Sequence, residues 1–174
     1  GIALVPEDRP LDGVVLDDSV RANIGLASLR EGSRRGFIDR RAERERARSW
    51  IERLGIKTRS PRSLVRKLSG GNQQKVAFAK WLARAPRVLL LDEPTRGVDV
   101  GAKEEIHRCI EAFARAGGAV VVASSELAEL LRLCDRILVL QRGAIRGELT
   151  RTQATESHLL ELATGAAIAP GAYA

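Results

Sequence analysis

Short apolar runs broken by proline or glycine alternate along this chain with longer segments whose apolar residues recur every three to four positions. Ile2-Ala3-Leu4-Val5, ended by Pro6, reads as a short buried strand. Val88-Leu89-Leu90-Leu91, set between Pro86 and Pro94, is too short for a buried helix and reads as a strand covered on both faces, as in a parallel sheet. Ala119 to Ala123 reads as another buried strand. Ser19 is placed as an N-cap before Val20 and Ile24. Ala47, Trp50, Ile51 and Leu54 have the spacing of an amphipathic helix closed by Gly55. Further helices are expected after Gly70-Gly71, over Gly101 to Ala116, from Leu127 through Leu131, and around Leu159, Leu160 and Ala163. Gly32, Ser33 and Gly36 mark a loop, and Lys57 to Arg62 a connector. Ile137 to Leu140 and Ile145 to Leu149 flank a glycine turn and predict a hairpin. The alternation of strands and helices predicts an α/β fold.

Composition narrows this only a little. At 174 residues, 44% hydrophobic and 29% charged, the chain suits one globular domain. No run approaches the ~18 apolar residues that span a bilayer, and Gly1 opens no signal peptide, so the chain is read as cytosolic. Cys109 and Cys134 fall at apolar helical positions, which predicts buried packing rather than zinc or a disulfide. His107 lies opposite the apolar face of its helix and is expected at the surface.

The net charge of +7 raises nucleic acid as a partner, but its distribution argues otherwise. Residues 30–67 hold 14 Lys/Arg against 5 Asp/Glu, so the excess is confined to one helical segment. That segment carries no Phe/Tyr stacking pairs, and a solvated arginine-rich face is expected.

Two stretches carry chemistry. Asp92 and Glu93 end the Val88 strand at its carboxyl edge, where open α/β sheets bind ligands. Strand alternation is expected to send the two carboxylates in different directions, one to the water shell of a Mg²⁺ ion and one to an attacking water. Upstream, Ser69-Gly70-Gly71 opens a helix, and its glycines and free N–H groups suit a phosphate. Together they imply nucleoside triphosphate hydrolysis. No Gly-x-x-x-x-Gly-Lys-Ser/Thr phosphate loop occurs in the 174 residues.

Leu68-Ser69-Gly70-Gly71-Asn72-Gln73-Gln74-Lys75 resembles the signature motif of ATP-binding cassette (ABC) ATPases, and Leu89-Leu90-Leu91-Asp92-Glu93-Pro94-Thr95 their Walker B strand. Pro6-Glu7-Asp8-Arg9 at the Q-loop position, Thr95-Arg96-Gly97-Val98-Asp99, and Ser124-Ser125-Glu126 resemble the second cassette of the tandem ATPases of bacterial ribose, xylose and galactoside importers. The resemblance implies a partial P-loop NTPase (RecA-like) cassette over residues 1–165. Within it, about 13–67 would be a helical subdomain and 68–149 the signature helix, Walker B strand and C-terminal core. Residues 166–174 would be a flexible tail. It implies ATP and Mg²⁺ as cofactors, with Asp92 attending Mg²⁺ and Glu93 as general base. Ser69, Gly70, Gly71 and Asn72 would meet the nucleotide of the other cassette, Asp99 would lie in the loop crossing that interface, and Glu7 and Ser125 would stand near the phosphates. Glu7 replaces a usual glutamine. Ser125, ten residues before Asp135, replaces a switch histidine and supplies no second ring nitrogen.

The implied partners are a second ATP-binding cassette, membrane permease subunits and, indirectly, a sugar-binding protein, with the chain peripheral on the inner face of the plasma membrane. The competing readings are a soluble cassette ATPase acting on ribosomes or DNA, and a non-enzymatic binding fragment. Without a phosphate loop, the isolated 174 residues are expected to show no saturable hydrolysis.

Overall fold

The computed structural model describes residues 1–29, 33–34 and 37–165, in two compact units. The expected tail 166–174 and the loop glycines 32 and 36 lie outside the described residues.

The first unit, Gly1–Ala123, is built on a parallel sheet of three strands. These are β1 (Ile2–Val5), β4 (Val88–Asp92) and β5 (Ala119–Ala123), with β4 in the centre. Ile2 pairs with Val88 and Val88 with Ala119, so the strands run in step to Asp92 beside Ala123. Between β1 and β4 lie α1 (Val20–Leu26), a two-residue hairpin β2 (Ser33–Arg34) and β3 (Phe37–Ile38), α2 (Arg40–Arg53) and α3 (Gly70–Leu82). Helix α4 (Val100–Arg115) joins β4 to β5. The small hairpin, Ser33 opposite Ile38, sits where only a loop was expected.

Helix α3 packs on β1 and α4 on β5, and alternate strand residues Ala3, Val5, Leu89 and Leu91 are buried. The opposite face is not covered as expected: Ile2 is 70% exposed, Leu4 48% and Val121 58%. Residues 88–91 were read as covered on both faces and the neighbouring strands as buried, but Val88 and Leu90 are half-buried and the outer strands expose their second face, since the chain packs one side of the sheet only. His107 also departs from expectation and is buried. Helix α4 packs against α3 as well as β5, which widens its buried stripe beyond the apolar positions.

The helical excursion is stitched shut at its base. Val20 N–H donates to Ser63 O at 2.9 Å, Arg21 N–H to Pro61 O at 2.8 Å, and Val65 N–H to Asp18 O at 3.0 Å. Buried Asn23 adds side-chain bonds to the backbone of Val15, at 2.7 and 2.9 Å, and to Ser19 O at 3.1 Å. Ser19 caps α1 as predicted.

The second unit, Ser124–Ala174, holds α5 (Leu127–Leu133), the antiparallel hairpin β6 (Arg136–Gln141) and β7 (Ala144–Thr150), and α6 (Glu156–Thr164). Its turn is Arg142-Gly143, both at positive φ, which matches the right-handed twist of the strands it joins. Ile137, Val139, Leu149 and Leu159 form its core, with Leu130, Leu131 and Cys134 against them.

Candidate functional site

Strand β4 delivers Asp92, exposed, at the carboxyl edge of the sheet. The strand ends there, and Glu93 takes a left-handed conformation at φ 45. The chain therefore turns at Glu93, and pleat alternation does not carry past Asp92. For a residue with a Cβ this conformation costs about 1–3 kcal/mol and persists where the surroundings impose it. Here Glu93 N–H donates to Ala123 O of β5 at 2.8 Å, and Arg96 N–H donates back to Glu93 O at 3.1 Å. Both bonds fix the residue at the bend.

Ser69 has the extended backbone of an N-cap at the start of α3, but its hydroxyl makes no capping bond. Instead Ser69 Oγ accepts from Asn72 Nδ2 at 2.8 Å, while Asn72 Oδ1 accepts Lys57 N–H at 2.7 Å. Both ends of the Asn72 amide are thus used within the chain, and the Ser69 hydroxyl hydrogen is directed elsewhere. The first intrahelical pairing of α3 is Gln73 N–H to Ser69 O at 2.9 Å, so the N–H groups of Gly70, Gly71 and Asn72 head the helix without an α-helical acceptor.

Three loops converge at this helix start. Arg9, in the turn after β1, donates from Nη1 to Gly70 O at 3.2 Å. Glu7 forms an ion pair with Arg96 of the loop after β4. Asp99 caps α4, accepting Ala102 N–H at 2.9 Å, and its Oδ2 would lie 3.6 Å from a Cβ on Gly71. The structure thus brings Glu7, Ser69, Gly70, Gly71 and Asp99 to one region of the first unit. Ser125 belongs to the second unit.

Sequence reasoning quoted Arg9, Arg96, Gln74 and Lys75 within motifs but gave none of them a role. Gln74 Nε2 donates to Pro94 O at 2.9 Å, which fixes the residue after Glu93. Lys75 donates to Gly55 O at 3.0 Å and pairs with Glu105 of α4. The available signal was the run Gln73-Gln74-Lys75 at the head of an otherwise apolar helix.

A cleft of about 1400 Å³ lies elsewhere, at the amino ends of the strands, lined by Trp50, Arg53, Arg87, Cys109 and Phe113. None of the predicted site residues lines it. In a parallel sheet the ligand edge is the carboxyl one, so β4's carboxyl end remains the candidate site.

The family model described as ABC transporter matches residues 2–96. A ribose import ATP-binding protein of Streptomyces avermitilis is 50% identical over 97% of this chain and 34% of its own length. A ribose import ATP-binding protein of Rhodopirellula baltica is 52% identical over 94% of this chain and 32% of its own length. The chain therefore spans about a third of the length of the curated relatives it matches. Among solved structures, the dimeric, post-hydrolysis state of the ATP-binding cassette MJ0796 bound to ADP and Pi aligns with a TM-score of 0.73 at 26% identity, covering 86% of this chain and 62% of that one. The fold is that of an α/β ABC ATPase cassette, of which this chain is one part. With the family model matching 2–96 of its 174 residues, the chain belongs to the ABC transporter family.

Proposed function

We propose that this chain is part of the ATP-hydrolysing, energy-coupling subunit of an importer for a simple sugar, working with a second cassette, permease subunits and a sugar-binding protein. The observation that carries the chemistry is the left-handed Glu93, pinned between β5 and Arg96 one residue beyond an exposed carboxylate. The relatives' names, ribose import ATP-binding proteins, support the sugar class. No described helix is long and apolar enough to cross a membrane, which suits a subunit attached to a permease from the cytoplasmic side.

In this reading Glu93 orients and deprotonates the attacking water, and its fixed backbone spares reorganisation during the step. Asp92 fits Mg²⁺ in donor chemistry: it is a single exposed hard-oxygen ligand, and that ion keeps waters and phosphates for most of its shell. When bound with ATP, the ion neutralises charge on the phosphates. Ser69, with its oxygen already accepting from Asn72, presents its hydroxyl hydrogen and the helix N–H groups to the γ-phosphate held by the second cassette. Asp99 holds the start of α4 at the interface between cassettes, and Glu7 stands near the phosphates. Asn72 acts by orienting Ser69.

In the full-length protein, Glu93→Gln keeps size and removes basicity. Hydrolysis is expected to fall by roughly 10²–10⁴ while ATP binding survives, read by steady-state kinetics and by nucleotide binding. Loss of binding with hydrolysis would assign Glu93 a structural role.

A further inference from the structure

We propose that Arg9 is a positioning residue for the start of α3: its guanidinium, bonded to Gly70 O and packed against Gly97, ties the turn after β1 to the signature helix and sets it against the loop after β4. This deepens the ATP-hydrolysing reading above and rests on it.

In sequence, Glu7-Asp8-Arg9 stands at the Q-loop position ahead of Pro10. The fold leaves Glu7 and Asp8 exposed and half-buries Arg9. Asp8 accepts Leu11 N–H at 3.0 Å, and Val14 N–H donates to Arg9 O at 2.9 Å, which locks the turn around Arg9. The side chain then reaches across 61 residues of sequence to Gly70 O. A Cβ on Gly70 would stand 3.6 and 3.7 Å from the two terminal nitrogens of Arg9 and 3.1 Å from Gly97 O. A Cβ on Gly97, at φ +66, would stand 3.3 Å from Arg9 Nη2. A side chain at Gly97 would press on the guanidinium, whereas one at Gly70 would meet it at ordinary contact distance and press on Gly97 O instead. Burial lowers the Arg9 pKa, partly offset by Asp8, so the group sits in a partly desolvated notch while remaining charged.

Beside this contact, Glu7 and Arg96 join the same two loops through an ion pair that is largely exposed and so weak. Arg9 supplies the more buried of the two contacts. Each segment it touches or adjoins bears a residue with a proposed role at the nucleotide: Glu7 after β1, Ser69 at the head of α3, and Asp99 after β4. A displacement of any one is transmitted to the others through a planar, multi-donor group. A lysine ammonium would supply charge without that reach.

The test is made in the full-length protein with Arg9→Ala, Arg9→Lys and Glu93→Gln. Arg9→Ala is expected to lower kcat for ATP about tenfold to a hundredfold, because a small misplacement of positioning groups has effects of that size. The KM for ATP should shift by less than about twofold, the mark of an interaction realised in the transition state. Deuterium uptake should rise over amides 70–73 and stay unchanged in the β6–β7 hairpin. Arg9→Lys should not restore kcat. Unchanged kcat in Arg9→Ala, or uptake rising throughout the chain, overturns the proposal. If Glu93→Gln leaves hydrolysis intact, the general-base role of Glu93 fails instead, and if the unsubstituted full-length protein hydrolyses no ATP the ATPase reading fails; in either case local uptake at 70–73 still decides whether Arg9 holds the helix start.

Discussion

Gly71 shows how little room the α3 and α4 helix starts leave. A Cβ there would stand 2.4 Å from the Cβ of Ala102. Gly71→Ala is therefore expected to destabilise by about 1–3 kcal/mol, the usual cost of overpacking, seen as a lower Tm; adding Ala102→Gly should recover most of it. Cys109 offers a second measurement at this scale. Burial pushes its thiol up to about 11 from an ordinary value of 9.0. The folded state keeps the proton that the unfolded chain releases first. Any stability linked to this group is thus fully present below about pH 9 and lost as pH rises toward 11. Alkylation of Cys109 should be slow at pH 8 and accelerate by about tenfold per pH unit up to that value, followed by mass spectrometry. Of the candidate residues, Asp92 and Ser69 were legible because each sits at the end of an element whose type the local pattern dictates. Arg9 was not, since its partner lies 61 residues away and only the tertiary turn brings them together.

Helix α3 carries the element-level lesson. A helix was expected after Gly70-Gly71 and is present, but Gln74, Lys75 and Lys80 are buried along with its apolar residues. Lys80 reaches Gly13 O at 2.6 Å, as Gln74 reaches Pro94 and Lys75 reaches Gly55. Period alone does not reveal that a polar side chain will find a carbonyl on a neighbouring loop. The same limit explains His107, where packing on two elements overrode the one-face pattern. Strand positions were read well because proline and glycine bound them, whereas their burial was not, because a short apolar run does not say how many layers cover it. At α1, Asn23→Ala would orphan the Val15 N–H, while Val15 O keeps the bond it accepts from Asp18 N–H at 3.1 Å. A loss of about 1–3 kcal/mol is expected, measured by denaturant unfolding.

At the scale of the whole molecule, the open face of the β1-β4-β5 sheet is the conspicuous feature, and β5 is an edge strand among the described residues. Apolar surface of this kind drives association. The 174-residue chain on its own is expected to self-associate, and Leu4→Lys with Val121→Thr should shift it toward monomer in light scattering. The stitching of Asp18, Val20 and Arg21 to Pro61, Ser63 and Val65 has an engineering consequence. Because the two ends of the excursion are hydrogen-bonded to each other, its length is decoupled from the strand register, and lengthening a closed loop adds little entropy cost. The stretch between α1 and α2 is therefore a natural socket. A fluorescent reporter or affinity tag grafted there would ride on the excursion while the strands that carry Asp92 and Glu93 keep their register.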